Sequence, residues 1–302
     1  MSKSILSRYL RPEVLNRVEQ YSFQPRQLVE GTLSGAHKSP LHGFAVEFAG
    51  HREYVPGDDV RHIDWKVYFR HERHVIKQYE METNLVCHLV LDVSESMRYG
   101  DEDKQKLLYA ARLAVTLGHL IVEQSDRVSL TLFDEKIRDF IRPSNAMAQI
   151  LRMAMNIDKI KPTKKTEMST SLLDFAARTG KREIVVIISD LLVDPDDLVE
   201  GLQRLRYARH EVVLMQVMHN DELEFDFSGN VRFVGIENDD QVLARPQDIR
   251  DAYLKELNAH NAKLEKICHS NGCERILCNT NRNIGVLFAD YLQRRQQLKR
   301  LF

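Results

Sequence analysis

The stretch LVCHLVLDVSES, residues 85–96, decides how the chain is read. Its first seven residues are apolar except for His88, and the run stops at Asp92. A short, nearly unbroken apolar run closed by an acid is the pattern of a strand buried on both faces. Ser94 and Ser96 follow on a turn, ahead of a helical pattern at 103–124 that carries Leu107, Leu108, Ala111, Ala114, Val115, Leu117, Gly118 and Ile121. Two hydroxyls spaced by two residues on a tight loop can point both oxygens inward.

Outward from this stretch the same texture repeats. RVSLTLFD (127–134) reads as a strand, with KIRDFI (136–141) as its antiparallel partner across a turn. Helical patterns at 145–156 and 168–179 lead to EIVVIISD (183–190), the most plainly buried strand of the chain. A helix at 195–208 and a strand EVVLMQVMH (211–219) come next, then short irregular strands at LEFDF, VRFVGI and QVLARP within 220–246. A long helix at 248–271 stops at Asn271-Gly272, a good C-terminal signal. CERILC (273–278) is the last strand, and a final helix runs from about Asn283 into a basic tail. Such alternation predicts an α/β fold, a mostly parallel sheet covered by helices on both faces. Ligands of such sheets gather beyond the carboxyl ends of the strands. Asp92 and Asp190 both stand at that place, and hard divalent ions such as Mg2+ take oxygen ligands of this kind.

Composition excludes several classes. The 302 residues are 43% hydrophobic, which removes disordered and low-complexity classes. Lys and Arg number 43 against 44 Asp and Glu, a net charge of −1, so nothing pulls the whole chain toward nucleic acid or an anionic membrane. No stretch approaches the roughly 18 consecutive apolar residues of a membrane span. The N-terminus, MSKSILSRYLRPEVL, lacks the apolar core of a signal peptide. Cys87, Cys268, Cys273 and Cys278 form no disulfide framework, so a reducing cytoplasm is the expected location.

The first third is different. Residues 12–30 suggest two short helices, with Pro12 placed at a helix start, and 31–43 a Gly/Ser/His-rich loop. Residues 44–82 are dense in charge and aromatic rings, with Glu47, Arg52, Glu53, Asp58, Asp59, Arg61, Asp64 and Arg70 among Tyr54, Trp65, Tyr68 and Phe69. One reading is a structural brace of Arg–carboxylate pairs. The other is a partner surface using Arg52, Arg61 and Arg70. The basic run Arg61–Lys77 also invites a nucleic-acid reading, which the adjoining acids oppose. Histidines 37, 42, 51, 62, 71 and 74 have no metal-binding spacing such as HExxH.

The order strand–DVSES–helix, a Thr-bearing loop, then strand–SD resembles the von Willebrand factor A domain with its metal-ion-dependent adhesion site. That resemblance implies metal ligands Asp92, Ser94, Ser96 and Asp190, with a threonine from KPTKKTEMSTSL (161–172), where Thr166-Glu167 fits better than Thr163 or Thr170. Lys164-Lys165 stand where the family usually has glycines. Upstream, Glu47-Phe48, Arg52-Glu53-Tyr54, Pro56-Gly57-Asp58-Asp59, Arg61, Ile63-Asp64-Trp65 and Arg70 resemble the signature block of the bacterial family called domain of unknown function 58. The resemblance covers about residues 30–290. It implies an N-terminal helical and charged extension over 1–83 packing on the core. A von Willebrand A-like domain over 84–302 follows, with an insertion at about 220–247. It also implies a bound Mg2+, with Mn2+ or Ca2+ as substitutes, and work beside a MoxR-type AAA+ ATPase on a client protein. An interaction module that takes a partner carboxylate onto the ion is the first expectation, with Glu95 at its rim. A metal-dependent hydrolase using the ion as Lewis acid, with Glu95 or an acid from the 47–64 block as base, is the alternative.

Overall fold

The computed structural model describes residues 2–23, 25, 46–55, 58, 60, 63–81, 85–160, 168–235 and 241–299. By contacts the chain divides into two compact units, Met1–Arg26 with Leu85–Phe302, and Gln27–Asn84. In chain order the first part contains helices α1 (Ser2–Tyr9) and α2 (Pro12–Val18), strand β1 (Val46–Glu53), helix α3 (Trp65–His71) and strand β2 (Val75–Met81). The larger unit continues with β3 (Val86–Asp92), α4 (Lys106–Glu123), β4 (Arg127–Phe133), β5 (Ile137–Ser144), α5 (Ala148–Lys159), α6 (Met168–Ala176), β6 (Ile184–Ser189), α7 (Val199–Tyr207) and β7 (Glu211–Met218). It closes with α8 (Asn220–Glu224), β8 (Val231–Val234), β9 (Gln241–Ala244), α9 (Pro246–Asn271), β10 (Glu274–Asn279) and α10 (Ile284–Lys299).

Six strands form the central sheet in the order β10-β7-β6-β3-β4-β5. All neighbours are parallel except β5, which runs antiparallel to β4 as the sequence suggests. Numbered within the sheet this is 3-2-1-4-5-6, the doubly wound order of nucleotide-binding and von Willebrand A-like folds. The chain leaves β3 toward one edge and returns beside it as β6, so the switch point lies between these two strands.

Burial follows the strand period of two. Cys87, Leu89 and Leu91 of β3 and Ile184, Val186 and Ile188 of β6 join a core with α4, Val14, Val18, Phe23, Phe288 and Tyr291. Val90, Val185 and Ile187 face the other way, onto Leu172, Phe175, Leu202, Leu205 and Leu264. Both faces are therefore covered, which is why these strands read as continuous apolar runs.

The structure departs from expectation in three places. Of the two helices expected within 12–30, α2 lies there and residues 24 and 26–30 lie outside the described residues, while α1 over Ser2–Tyr9 is a helix the sequence did not suggest. LEFDF is not a strand: His219 and Glu222 form a reciprocal cap that starts α8, and Phe225 ends it in the left-handed conformation. The 44–82 block, read only as dense in charge and aromatic rings, contains a strand pair in its described parts, β1 and β2 antiparallel from Val46↔Met81 to Glu53↔Val75.

Candidate metal centre at the carboxyl edge of the sheet

The last residue of β3, Asp92, and the residue after β6, Asp190, emerge side by side because the two strands are neighbours. Asp92 is 1% exposed, Ser94 is fully buried, and Asp190 is 3% exposed. The Asp92 carboxylate shapes its own loop: Oδ1 accepts from the Ser94 amide at 2.9 Å, and Oδ2 accepts from the Ser189 hydroxyl at 2.6 Å. The loop then turns so that Ser94 Oγ and Ser96 Oγ lie 3.0 Å apart. In the turn after the neighbouring strand, Leu191 is held at φ 55 with its side chain fully buried, and its carbonyl lies 2.9 Å from His260 Nε2. A leucine in that backbone region is strained, and burial fixes it there, so the turn that carries Asp190 is rigid.

Sequence reasoning did not foresee two members of this cluster. Lys106, the first residue of α4, is 1% exposed and donates to Asp190 Oδ2 at 2.9 Å and to Glu222 Oε1 at 2.7 Å. The available signal was a cation opening an otherwise apolar helix, where the helix dipole disfavours positive charge and calls for a nearby anion. Burial works against the ammonium, and Asp190 and Glu222 together outweigh it and hold the Lys106 pKa above its ordinary value. Burial, with the charge of Asp190 beside it, pushes the Asp92 pKa well above the usual carboxylate range.

The donor set suits a hard dication. It is made of oxygens only, with two adjacent hydroxyls and two crowded carboxylates whose mutual repulsion a dication would relieve. Among the described residues no group of three or more His, Cys, Asp or Glu could hold a metal, so an ion here would rest on hydroxyls as much as on carboxylates. Thr166 lies outside the described residues. A third acid at this edge, Asp134 after β4, accepts from the Lys136 amide at 3.3 Å and faces Arg138 at 3.5 Å across the β4–β5 turn.

The other expected site residues lie elsewhere. Glu95 sits beside Arg98 at 3.4 Å. In the smaller unit Arg52 makes a two-pronged pair with Asp58, both contacts at 2.7 Å, and holds the Asp58 pKa down to about 2. Asp64 caps α3 through the Lys66 and Val67 amides and lies 2.9 Å from His51 Nε2. Arg52 is thus engaged as a brace, Arg70 is exposed at the end of α3, and Arg61 lies outside the described residues.

A family model described as "Protein of unknown function DUF58" matches residues 50–263, more than half of the chain. The chain belongs to the DUF58 family. Within and around the DUF58 match, an uncharacterized protein of Mycobacterium tuberculosis, Rv1480, is 26% identical over 295 residues, covering 90% of this chain and 86% of its own. Among solved structures, the chain is similar to BatB from Bacteroides thetaiotaomicron, at 13% identity and TM-score 0.46 over 70% of this chain and 99% of that one. It is also similar to the SpRpn10 VWA domain, at 10% identity and TM-score 0.41 over 70% and 95%. The von Willebrand A-like assignment rests on the strand order and on the family. Among the described residues no helix is long and apolar enough to cross a membrane.

Proposed function

We propose that this DUF58 protein is an interaction module holding one divalent cation, Mg2+ or in its place Mn2+ or Ca2+, at Asp92, Ser94, Ser96, Thr166 and Asp190. The observation that supports the reading is the Ser94–Ser96 hydroxyl pair, 3.0 Å apart, set beside two buried carboxylates at the switch point of the sheet. An ion held largely by neutral hydroxyls keeps enough electrophilic character to accept a carboxylate from another protein. The rest is the work of the chain itself. Asp92 fixes the Ser94 amide, Ser189 fixes Asp92, and the buried Leu191 fixes the turn after Asp190.

The proposed partner is a MoxR-type AAA+ ATPase acting with a client protein, which the family resemblance supports, and the exposed Arg70 and the rim residue Glu95 are proposed second contacts. Arg61 belongs with them by sequence. The proposed location is the cytoplasm, a reading consistent with four free cysteines, three of them buried. The hydrolytic alternative needs a general base near the ion, either Glu95, which lies 3.4 Å from Arg98, or an acid of the 47–64 block, where Asp58 is paired with Arg52 and Asp64 caps α3. The test is binding of the ATPase to immobilised full-length protein in Mg2+ and in chelator. The proposal expects binding in Mg2+ that chelator and Asp92→Ala both abolish, and equal binding in all three conditions contradicts it.

A further inference from the structure

The carboxyl edge of the sheet already contains a cation of its own. Lys106 Nζ bridges Asp190 Oδ2 and Glu222 Oε1 at 2.9 and 2.7 Å, and its side chain is 1% exposed. The backbone around it is built to keep it there. Its amide donates to the Tyr99 carbonyl at 3.0 Å, and its ammonium lies 6.0 Å from the centre of the Tyr99 ring. Gly100 has φ +93, and a Cβ there would come within 2.8 Å of the His219 ring, so the Tyr99–Gly100 turn closes tightly over the end of β7.

Both oxygens of Asp190 are engaged, Oδ2 by Lys106 and Oδ1 by the Leu192 amide at 3.3 Å. Asp190 is therefore oriented by the chain before any ion arrives. Glu222 is fixed in the same way, since its second oxygen accepts from the His219 amide at 2.8 Å while the first takes Lys106. One carboxylate thus starts α8 and balances the lysine.

We infer that Lys106 and Glu222 tune the candidate metal site, setting by their opposite charges beside Asp190 how strongly this edge draws a dication. The inference rests on the metal-site reading above. Its physical content is a charge count. With Asp134 balanced by Arg138, Asp92, Asp190 and Glu222 against Lys106 leave a net charge of −2 when all are ionised, which one dication cancels. Lys106 with Glu222 adds a fixed orientation at no net charge. Removing either one alone changes the charge facing the ion, in opposite directions, and removing both restores it.

The experiment titrates Mg2+ alone, and Mn2+ alone, into the full chain by calorimetry, with thermal unfolding in chelator to establish that each variant is folded. Glu222→Gln keeps the shape and a hydrogen bond to Lys106, and is expected to weaken ion binding about tenfold, equivalent to about 1.4 kcal/mol. Lys106→Met is expected to bind the ion more tightly than wild type. The double variant is expected to return to within about threefold of wild type, less than half of that free energy. A merely structural salt bridge would give no change in affinity, or a loss in both single variants. Either of those results, with wild type still binding the ion, overturns the inference and leaves the metal site standing. Should Lys106→Met fail to fold, Glu222→Gln and the double variant decide the matter. A wild type that binds neither ion overturns the metal-site reading, and the inference with it.

Discussion

The two ends of the central sheet both bury polar side chains, and they treat them in opposite ways. Toward the amino ends of the strands, His88 of β3 lies between Ser129 of β4, with Nδ1 to Oγ at 2.6 Å, and Glu183 just before β6, with Nε2 to Oε2 at 2.9 Å. Every polar atom of that histidine is used, and one carboxylate faces one imidazole. This line has the composition of a hydrolytic triad, yet Ser129 is fully buried within the sheet, where no substrate reaches it. At the carboxyl ends Asp190 and Glu222 share one ammonium while Asp92 lies buried close to Asp190 with no cation of its own among the described contacts, and two hydroxyls face each other rather than a fixed donor. One end is closed on itself and the other has negative charge in excess. A fold needs only the first arrangement, and the second is what a binding site requires.

Several perturbations would break or sharpen this contrast. The largest effect belongs to the carboxyl end: without added metal, Lys106→Met strands Asp190 and Glu222 and should cost about 3–5 kcal/mol in urea unfolding, the size typical of a broken buried pair. At the amino end, Ser129→Ala removes one partner of His88 and should cost about 1–3 kcal/mol in the same assay, while leaving ion binding in calorimetry as in wild type. An altered ion affinity in Ser129→Ala would dissolve the distinction between the two ends.

A pH effect comes from the amino edge as well. Burial pushes the Asp126 pKa up to about 6, above its ordinary 3.8, although its carboxylate accepts from the Leu85 amide at 3.2 Å. A raised pKa means the fold prefers the protonated acid, so this contribution to stability is complete below pH 3.8 and is lost as pH rises through about 6. Asp126→Asn should therefore gain about 1 kcal/mol at pH 7, allowing for solvent screening of a partly exposed group, and gain nothing at pH 4. Urea midpoints at the two pH values check the sign. In the smaller unit, Asp64→Ala removes the α3 cap and should cost about 1 kcal/mol, read as faster hydrogen exchange at the Lys66 and Val67 amides with no change in the core.

How much of this was legible in the sequence depends on the range of the interaction that fixes each part. Strands β3 and β6 are legible because burial on both faces leaves an unbroken apolar run, and Asp92 and Asp190 because each closes such a run. Ser94 and Ser96 are local to Asp92 and readable with it. Lys106–Glu222 joins residues 116 apart in the chain, and no periodicity records such a contact. Helix α1 is not legible in the sequence because it is short and held by distant groups, with Arg8 and Tyr9 both reaching Asp158. Helix α8 reads as a strand in the sequence because Leu223, Phe225 and Phe227 alternate with acids. The His219–Glu222 cap overrides that alternation, and the aromatic rings pack on one another, with Phe225 stacked 4.4 Å from Tyr253.

The most direct test of the account is a titration of Mn2+ into wild type, Asp92→Ala and Ser96→Ala, followed by the electron paramagnetic resonance signal of the free ion. The account predicts that wild type removes one ion per chain from solution, that Mg2+ displaces it, and that both variants leave the ion free. If the variants take up Mn2+ as wild type does, the ion is held elsewhere and the carboxyl edge is not its site.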